Sequence, residues 1–337
     1  MRDEIASTFD RILSEYCTPQ IVRSIEAGGD HRPLWHILEQ TGFADALVAT
    51  EAGGAGLSLA DAFPIAELCG AHAVPLAFAE TMVLRGVLAQ HGVAIPSGSL
   101  TFVDAAHDRG GVVSGRAICG KVSDWAVVGI DGKWWLAPTC SAKHDPAPFV
   151  LDATLSWPHE AFGAAMPGRG DLDLRLVQAF VHSGQLAGAL NAVFVRTLRY
   201  ANDRKQFGRP IGAFQAIQQQ LSVMAEHVFA ARMAADLASS RNGLRFDRLK
   251  IAIAKARTGE AAAEIAALGH SIHGAIGFTE EYDLQLLTRR LHLWRLIAGN
   301  ESYWHDVIGG MLLGGADARS LDFLRRASEP DYLEPET

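Results

Sequence analysis

A long run without proline, residues 171–203, constrains this fold more than any other feature of the sequence. Proline breaks or kinks helices, so its absence allows one continuous helix, about 50 Å long at about 1.5 Å per residue. Apolar spacing predicts further helices at residues 213–240, 247–271, 282–296 and 301–313. The sequence therefore predicts a C-terminal four-helix bundle over residues 169–328. Small residues on the first helix would let a second helix approach closely: Gly184, Ala187, Gly188 and Ala192.

The first 96 residues also show helical spacing, in shorter segments at 3–16, 33–40, 57–68 and 79–91. A glycine-rich segment, residues 51–57, leads into the third of these. Ahead of a helix, such a segment can bind phosphate through its backbone N–H groups. Because no β-pattern precedes it and no lysine follows it, a plain connection between helices is favoured. Residues 1–96 are therefore predicted to form an N-terminal helical domain.

The pattern changes to β over residues 97–168. Short β-prone runs lie at 112–118, 125–130 and 133–137, and Asp131-Gly132 between the last two is typical of a tight hairpin. The fold class predicted for the whole chain is mainly α with a small central β-domain. The acidic tail, residues 329–337, contains prolines and is expected to fray.

Composition and charge restrict the classes of protein to which the chain can belong. With 337 residues, 49% apolar and 20% charged, it has the size for two or three domains and the balance of a globular protein. A net charge of −8 without a basic block argues against nucleic-acid binding. No apolar run reaches the roughly 18 residues of a membrane span, and the N-terminus lacks a signal-peptide layout. The scattered cysteines form no CxxC pair, which predicts free thiols and a cytoplasmic protein: Cys17, Cys69, Cys119 and Cys140.

Residues 204–278 concentrate side chains that suit a phosphorylated ligand. The guanidinium of Arg204 is able to bind a pyrophosphate through paired hydrogen bonds, and the N-terminus of the helix that follows adds a favourable dipole. Phe207 offers an apolar face and Gln215 an amide. Glycines in residues 274–278 let backbone N–H groups come close to a ligand. The plain alternative is that Arg204 caps a helix and Phe207 belongs to the core.

These residues also carry a resemblance to a known family. Arg204-Lys205-Gln206-Phe207-Gly208, then Gln215, then His273-Gly274-Ala275-Ile276-Gly277-Phe278 resemble the acyl-CoA dehydrogenase flavoproteins. In that family these elements hold the adenosine-diphosphate half of FAD, usually the FAD of a neighbouring subunit. Ser271 stands where the family usually has glutamine. A histidine is common in the family at the position of His273. It is not predicted to be a metal ligand, because no second ligand residue lies at the spacing that a metal site needs. The cofactor-binding residues implied by the resemblance are Arg204, Phe207, Gln215, Ser271, Ile272, His273, Gly274, Ala275, Asn300 and Ser302.

The resemblance extends over the chain in domain order and implies more than a cofactor. It implies acyl-CoA thioester substrates, oxidoreductase activity in the β-oxidation of fatty acids or steroid side chains, and tetramers built as dimers of dimers. An electron-transfer flavoprotein is a further partner known in the family. One segment departs from the family pattern: the Thr-Glu-Pro and Gly-Ser-Asp motifs that open the usual β-domain and contact the isoalloxazine ring are missing.

The catalytic position departs from the family as well. The dehydrogenation needs a carboxylate base, which the family places at one of two points. These points correspond to Ala298 and Gln178, and neither side chain is a useful base near neutral pH. Glu301, about one helical turn past Ala298, is a substitute to consider, although an acid in the first turn of a helix is also ordinary. The neighbouring Asp283, Arg289 and Arg290 are expected on solvated helix faces or at subunit contacts.

Two functions therefore stay open at this point. The first is a non-catalytic subunit that completes the FAD site of a longer catalytic acyl-CoA dehydrogenase chain, as in bacterial heterotetramers that act on bulky, often steroid-derived acyl-CoAs. The second is a self-sufficient FAD-dependent dehydrogenase or oxidase-like enzyme, in a homo-oligomer and with a relocated base. A helical binding protein that has lost its flavin is a third alternative.

Overall fold

The computed structural model describes residues 2–103, 107–240, 242–314 and 320–328. The described residues form two compact units, one within Met1–Ile65 and Val74–Val181 and the other within Ala66–Ala73 and His182–Thr337. Most of the N-terminal helical segment thus shares a unit with the β-strands, while Ala66–Ala73 belongs to the other unit. The three-part division at residues 96 and 168 stays a prediction. The tail predicted to fray, residues 329–337, lies outside the described residues.

The N-terminal segment is helical, with α1 (Arg2–Tyr16), α2 (Pro19–Glu26), α3 (Arg32–Gln40), α4 (Leu59–Ala71) and α5 (Phe78–Gln90). The four predicted helices are confirmed, while α2 was not predicted because its eight residues are too few for a clear period. Its start is nevertheless encoded locally, since Thr18 Oγ1 accepts a hydrogen bond from Ile21 N and Pro19 opens the helix. Buried Arg85 on α5 bonds to Glu39 and Asp45.

The glycine-rich segment at 51–57 is a helix connection, as predicted. Its amides are used within the protein: Gly54 N donates to Ala49 O, Ala55 N to Asp45 O, and Gly56 N to Val48 O. An anion-binding segment needs free N–H groups. This segment therefore has no phosphate-binding role.

The β-domain consists of two four-stranded sheets, in the orders β1-β4-β5-β8 and β2-β3-β7-β6. Asp131 and Gly132 both have positive φ, at 48° and 76°, and join β4 to β5 as the predicted hairpin. A shared core includes Val113, Val128 and Trp157. The strands are β1 (Leu100–Val103), β2 (His107–Arg109), β3 (Val112–Ala117), β4 (Trp125–Ile130), β5 (Lys133–Pro138), β6 (Lys143–Pro146), β7 (Ala153–Pro158) and β8 (Met166–Pro167), with a short α6 (His159–Phe162).

The remaining helices are α7 (Leu174–Asp203), α8 (Gln215–Leu237), α9 (Arg248–His273), α10 (Leu284–Trp294), α11 (Glu301–Gly314) and α12 (Ser320–Ser328), with a hairpin of β9 (Lys205–Gln206) and β10 (Arg209–Pro210). The predicted bundle is confirmed, and the alanine-rich α9 is its centre, in contact with α8, α10 and α11. The close approach predicted for small residues is found at Gly188, where a Cβ would collide with the backbone of Glu67. Among the described residues, no helix is long and apolar enough to cross a membrane.

Candidate functional site

The first predicted cofactor element is a hairpin at the end of α7, residues 204–215, called here the Arg204 hairpin. Backbone hydrogen bonds from Arg204 N to Tyr200 O (2.9 Å) and from Ile211 N to Arg204 O (2.8 Å) fix its base. Phe207 lies at the tip with φ 51° and is 91% exposed, so it is not a core residue. The side chains of Arg204 and Gln215 are exposed and make no hydrogen bond to any described residue.

Gln215 differs from the prediction in one respect. The helix was predicted to begin at residue 213, but Gln215 is the first residue of α8. Helix N-termini carry unsatisfied N–H groups and a partial positive charge, which favour anions. The structure therefore brings Gln215 and the dipole of α8 to the same place.

The second predicted element is the segment from Ser271 to Phe278, called here the glycine turn. Gly274, with φ 64° and ψ −146°, ends α9 in a conformation that only glycine adopts without strain. Ser271, Gly274 and Ala275 are exposed. Ile272 and His273 are buried, so they could reach a ligand only through their backbone.

The two elements meet through His273, which sequence reasoning assigned to the cofactor. Its Nδ1 donates to Gly269 O at 2.7 Å, so its Nε2 accepts from the Tyr282 hydroxyl at 3.1 Å. The ring of Tyr200, one turn before Arg204, stacks on it with centroids 4.4 Å apart. Burial lowers the pKa of His273, which keeps the ring neutral. His273 is therefore a structural residue that ties the glycine turn to the end of α7.

Tyr200 and Tyr282 were missed by the sequence reasoning. The available signal was the position of Tyr200, four residues before Arg204 and hence on the same helix face. One other expectation needs correction: Arg290 is buried and donates to Leu286 O, so it supports the packing of α10 rather than lying on a solvated face. Asp283 is half-buried and ion-paired with Arg196 at 3.2 Å.

A pocket of about 600 Å³ opens beside the glycine turn. Stacked on one another at 4.3 Å, His270 and Phe278 form one side of it. Burial lowers the pKa of both His270 and His292, so both imidazoles are uncharged at neutral pH. The pocket is consequently neutral and largely apolar, and it is lined by Ala263, Ala266, Ala267, His270, Ser271, Gly274, Ala275, Phe278 and His292.

The two positions of the family base contain no carboxylate. Gln178 is a buried residue of α7, in the first unit. Ala298 lies in the second unit, between α10 and α11, and has a left-handed backbone with φ 56°. Its carbonyl accepts a hydrogen bond from Trp304 Nε1 at 3.1 Å. Residues 295–300, called here the Ala298 turn, thus keep an unusual conformation without a reactive side chain.

Glu301, the substitute base, is engaged in an ion pair. Its Oε1 lies 2.7 Å from Arg295 Nε. Burial by itself would raise the pKa of Glu301, but the hydrogen bond from Arg295 and the charges of Arg295 and Lys255 outweigh it, and the pKa is lowered. A carboxylate with a lowered pKa is a weaker base, so this geometry disfavours relocation of the base to Glu301.

Lys255 on α9 is almost fully buried beside this pair, and we expect it to make stability depend on pH. Burial lowers its pKa from 10.5 to about 7. Between these values the unfolded chain holds a proton that the folded chain has lost. Raising the pH through this window therefore favours the folded state, by at most about 1.4 kcal/mol per pH unit. Urea unfolding of the wild type and Lys255→Met at several pH values measures the effect. Above pH 7 the free energy of unfolding of the wild type should rise relative to that of Lys255→Met. A difference that does not change with pH would contradict the assignment.

Comparison with known proteins identifies the family. The family model for the C-terminal domain of acyl-CoA dehydrogenases matches residues 177–313. The acyl-CoA dehydrogenase IpdE2 of Mycolicibacterium smegmatis is 29% identical over 298 residues, 86% of this chain and 92% of that protein. IpdE2 of Mycobacterium tuberculosis is 28% identical over the same share of this chain.

Solved structures with the same fold include a chain of the ChsE4–ChsE5 complex from Mycobacterium tuberculosis, with TM-score 0.78 and 20% identity, covering 94% of this chain and 98% of that one. An acyl-CoA dehydrogenase from Geobacillus kaustophilus has TM-score 0.76 and 17% identity, covering 92% and 97%. These matches lead to one conclusion: residues 177–313 are a C-terminal domain of the acyl-CoA dehydrogenase family, and the chain is similar to acyl-CoA dehydrogenases over most of its length.

Proposed function

We propose that this chain is a non-catalytic subunit that completes the FAD site of a partner in an acyl-CoA dehydrogenase complex. The observation that carries the proposal is a contrast within the second unit. Arg204, Phe207 and Gln215 are exposed and available to a ligand, whereas Ala298 supplies no base and Glu301 is held in an ion pair. Binding residues are thus kept while the family's catalytic group is lost.

The residues suit the adenosine-diphosphate half of FAD. Arg204 would bind the pyrophosphate by charge-assisted hydrogen bonds, with the α8 N-terminus adding its dipole. Gly274 lets the backbone approach closely, and the Ser271 hydroxyl is an exposed donor beside it. The neutral pocket with its stacked His270–Phe278 wall suits a flat heterocycle. Asn300 and Ser302, both exposed at the start of α11, are the further polar groups assigned to the cofactor.

When bound, FAD supplies the hydride acceptor for α,β-dehydrogenation. The residues of this chain would orient the cofactor and neutralise the charge of its pyrophosphate. The base and the contacts to the flavin ring would come from the partner, which we propose to be a longer family member with its glutamate. An arrangement as dimer of dimers places each cofactor across a subunit boundary.

For the substrate we propose acyl-CoA thioesters with bulky, steroid-derived side chains, and for the electron acceptor an electron-transfer flavoprotein. The support is the likeness to two-chain complexes. One of these, Tcur3481–Tcur3483, is described as a steroid ACAD and has TM-score 0.78 at 22% identity.

Co-expression with a longer family member that retains its glutamate tests the proposed function. We expect a complex with equal numbers of the two chains and with bound flavin, measured by light scattering and flavin absorbance, and little flavin in this chain alone. The longer chain expressed alone is the control and should hold less flavin than the complex. A flavin-loaded homomer of this chain that dehydrogenates acyl-CoAs would contradict the proposal.

A further inference from the structure

The Ala298 turn is strained and held in place. Ala298 and Gly299 are consecutive residues with positive φ, at 56° and 98°. A Cβ at Gly299 would lie 2.5 Å from Cδ1 of Tyr303, so this position also requires glycine for space. A left-handed conformation at a residue other than glycine is uncommon and persists only where the surroundings impose it.

Lys255 is the main brace of this turn. It is 1% exposed, and its Nζ donates to Arg295 O at 2.9 Å and to Gly299 O at 3.0 Å. The two carbonyls lie near opposite ends of the turn, so one side chain fixes both. Trp304 Nε1 adds a bond to the carbonyl between them, that of Ala298.

Three ionisable groups lie near the Lys255 amine. Glu301 on α11 and Arg295 at the end of α10 act on its charge in opposite directions. On α7, His182 is fully buried, and burial lowers its pKa to about 3, so it is neutral. Glu301 fits against α9 because residue 259 is a glycine. A Cβ at this position would lie only 2.8 Å from Glu301 Oε1.

We infer that Lys255 is a positioning residue, which braces the Ala298 turn and thereby holds Asn300 and Ser302 in place for the cofactor. This inference rests on the proposed function. Lys255 acts through the turn, because its amine is buried and bonded to the backbone of the turn rather than open to a ligand. The turn that carries the base elsewhere in the family would thus serve only to orient the start of α11.

Two measurements test the inference on three variants. Lys255→Met leaves an unbranched side chain that is one atom shorter and removes both bonds. Trp304→Phe removes the bond to Ala298 together with part of a buried ring, and it serves in case the first variant fails to fold. Arg257→Gln is the matched control, because Arg257 is on the same helix but pairs with His227 and Glu260. Hydrogen exchange of the purified chain reports on the turn without flavin. The release rate of FAD from the co-expressed complex reports on the cofactor.

We expect Lys255→Met to speed amide exchange in the Ala298 turn, residues 295–300, by about tenfold or more, the effect of losing about 1.4 kcal/mol. Exchange in α8 should not change. FAD release should rise by a similar factor while assembly with the partner is unchanged, a pattern that general destabilisation would not produce. Trp304→Phe should also speed amide exchange in the turn and the release of FAD. Arg257→Gln should change neither of these rates.

The outcomes separate this inference from the proposed function. Unchanged exchange in the turn, or faster exchange with unchanged FAD release, overturns the role of Lys255 and leaves the proposed function intact. A wild-type complex without flavin overturns the proposed function and the cofactor role together, and the exchange data then still decide whether Lys255 braces the turn.

Discussion

Arg204→Ala is expected to weaken FAD retention by the assembled complex by about 1.5–3 kcal/mol, the usual contribution of a charge-assisted hydrogen bond. This corresponds to about a ten- to hundredfold loss in affinity. The physical reason is that the guanidinium has no partner among the described residues and is thus free for a pyrophosphate. Titration of the apo-complex with FAD, followed by flavin fluorescence, measures the loss.

Arg199→Ala is the matched control for this prediction. Arg199 is an exposed arginine on α7, five residues before Arg204 and on a different face of the helix. Its loss should leave FAD affinity unchanged, which separates a specific contact from the general effect of one positive charge. Equal flavin occupancy in Arg204→Ala and wild type at limiting FAD would refute the assignment of the Arg204 hairpin.

The second large effect is on catalysis. Purified alone, this chain is expected to dehydrogenate acyl-CoAs at least about 10²- to 10⁴-fold more slowly than a family member with its base, because that is the usual contribution of a general base. Dye reduction with several acyl-CoAs measures the rate. Ala298→Glu should not restore activity by itself, since the segments with which the family contacts the flavin ring are missing from the sequence.

Turnover at a rate ordinary for the family would defeat the non-catalytic assignment. Glu301→Gln then identifies the cause. If activity disappeared in this variant, Glu301 would be the base despite its ion pair with Arg295. If activity persisted, the base would lie elsewhere.

Local patterns predicted most of the secondary structure. The period of the apolar residues located the long helices, and Asp131-Gly132 located the β4–β5 hairpin because both residues tolerate positive φ. The patterns failed where an element depends on its neighbours. Short α12 is stabilised by packing Phe323 and Ala327 against Leu249 of α9, and no local signal reports such a contact.

By itself, the sequence determined which residue types are available: the arginine, phenylalanine, glutamine and glycines of the proposed cofactor site, and alanine at a position where the family has its base. Only the tertiary structure decided what each side chain does. It turned His273 inward between Tyr200 and Tyr282, paired Glu301 with Arg295, and placed Lys255 under the Ala298 turn. Two of these contacts join residues far apart in sequence, 73 positions for Tyr200 and His273 and 44 for Lys255 and Gly299. Spacing along one helix reports which face a residue is on, but the partner on that face is set by how the helices pack.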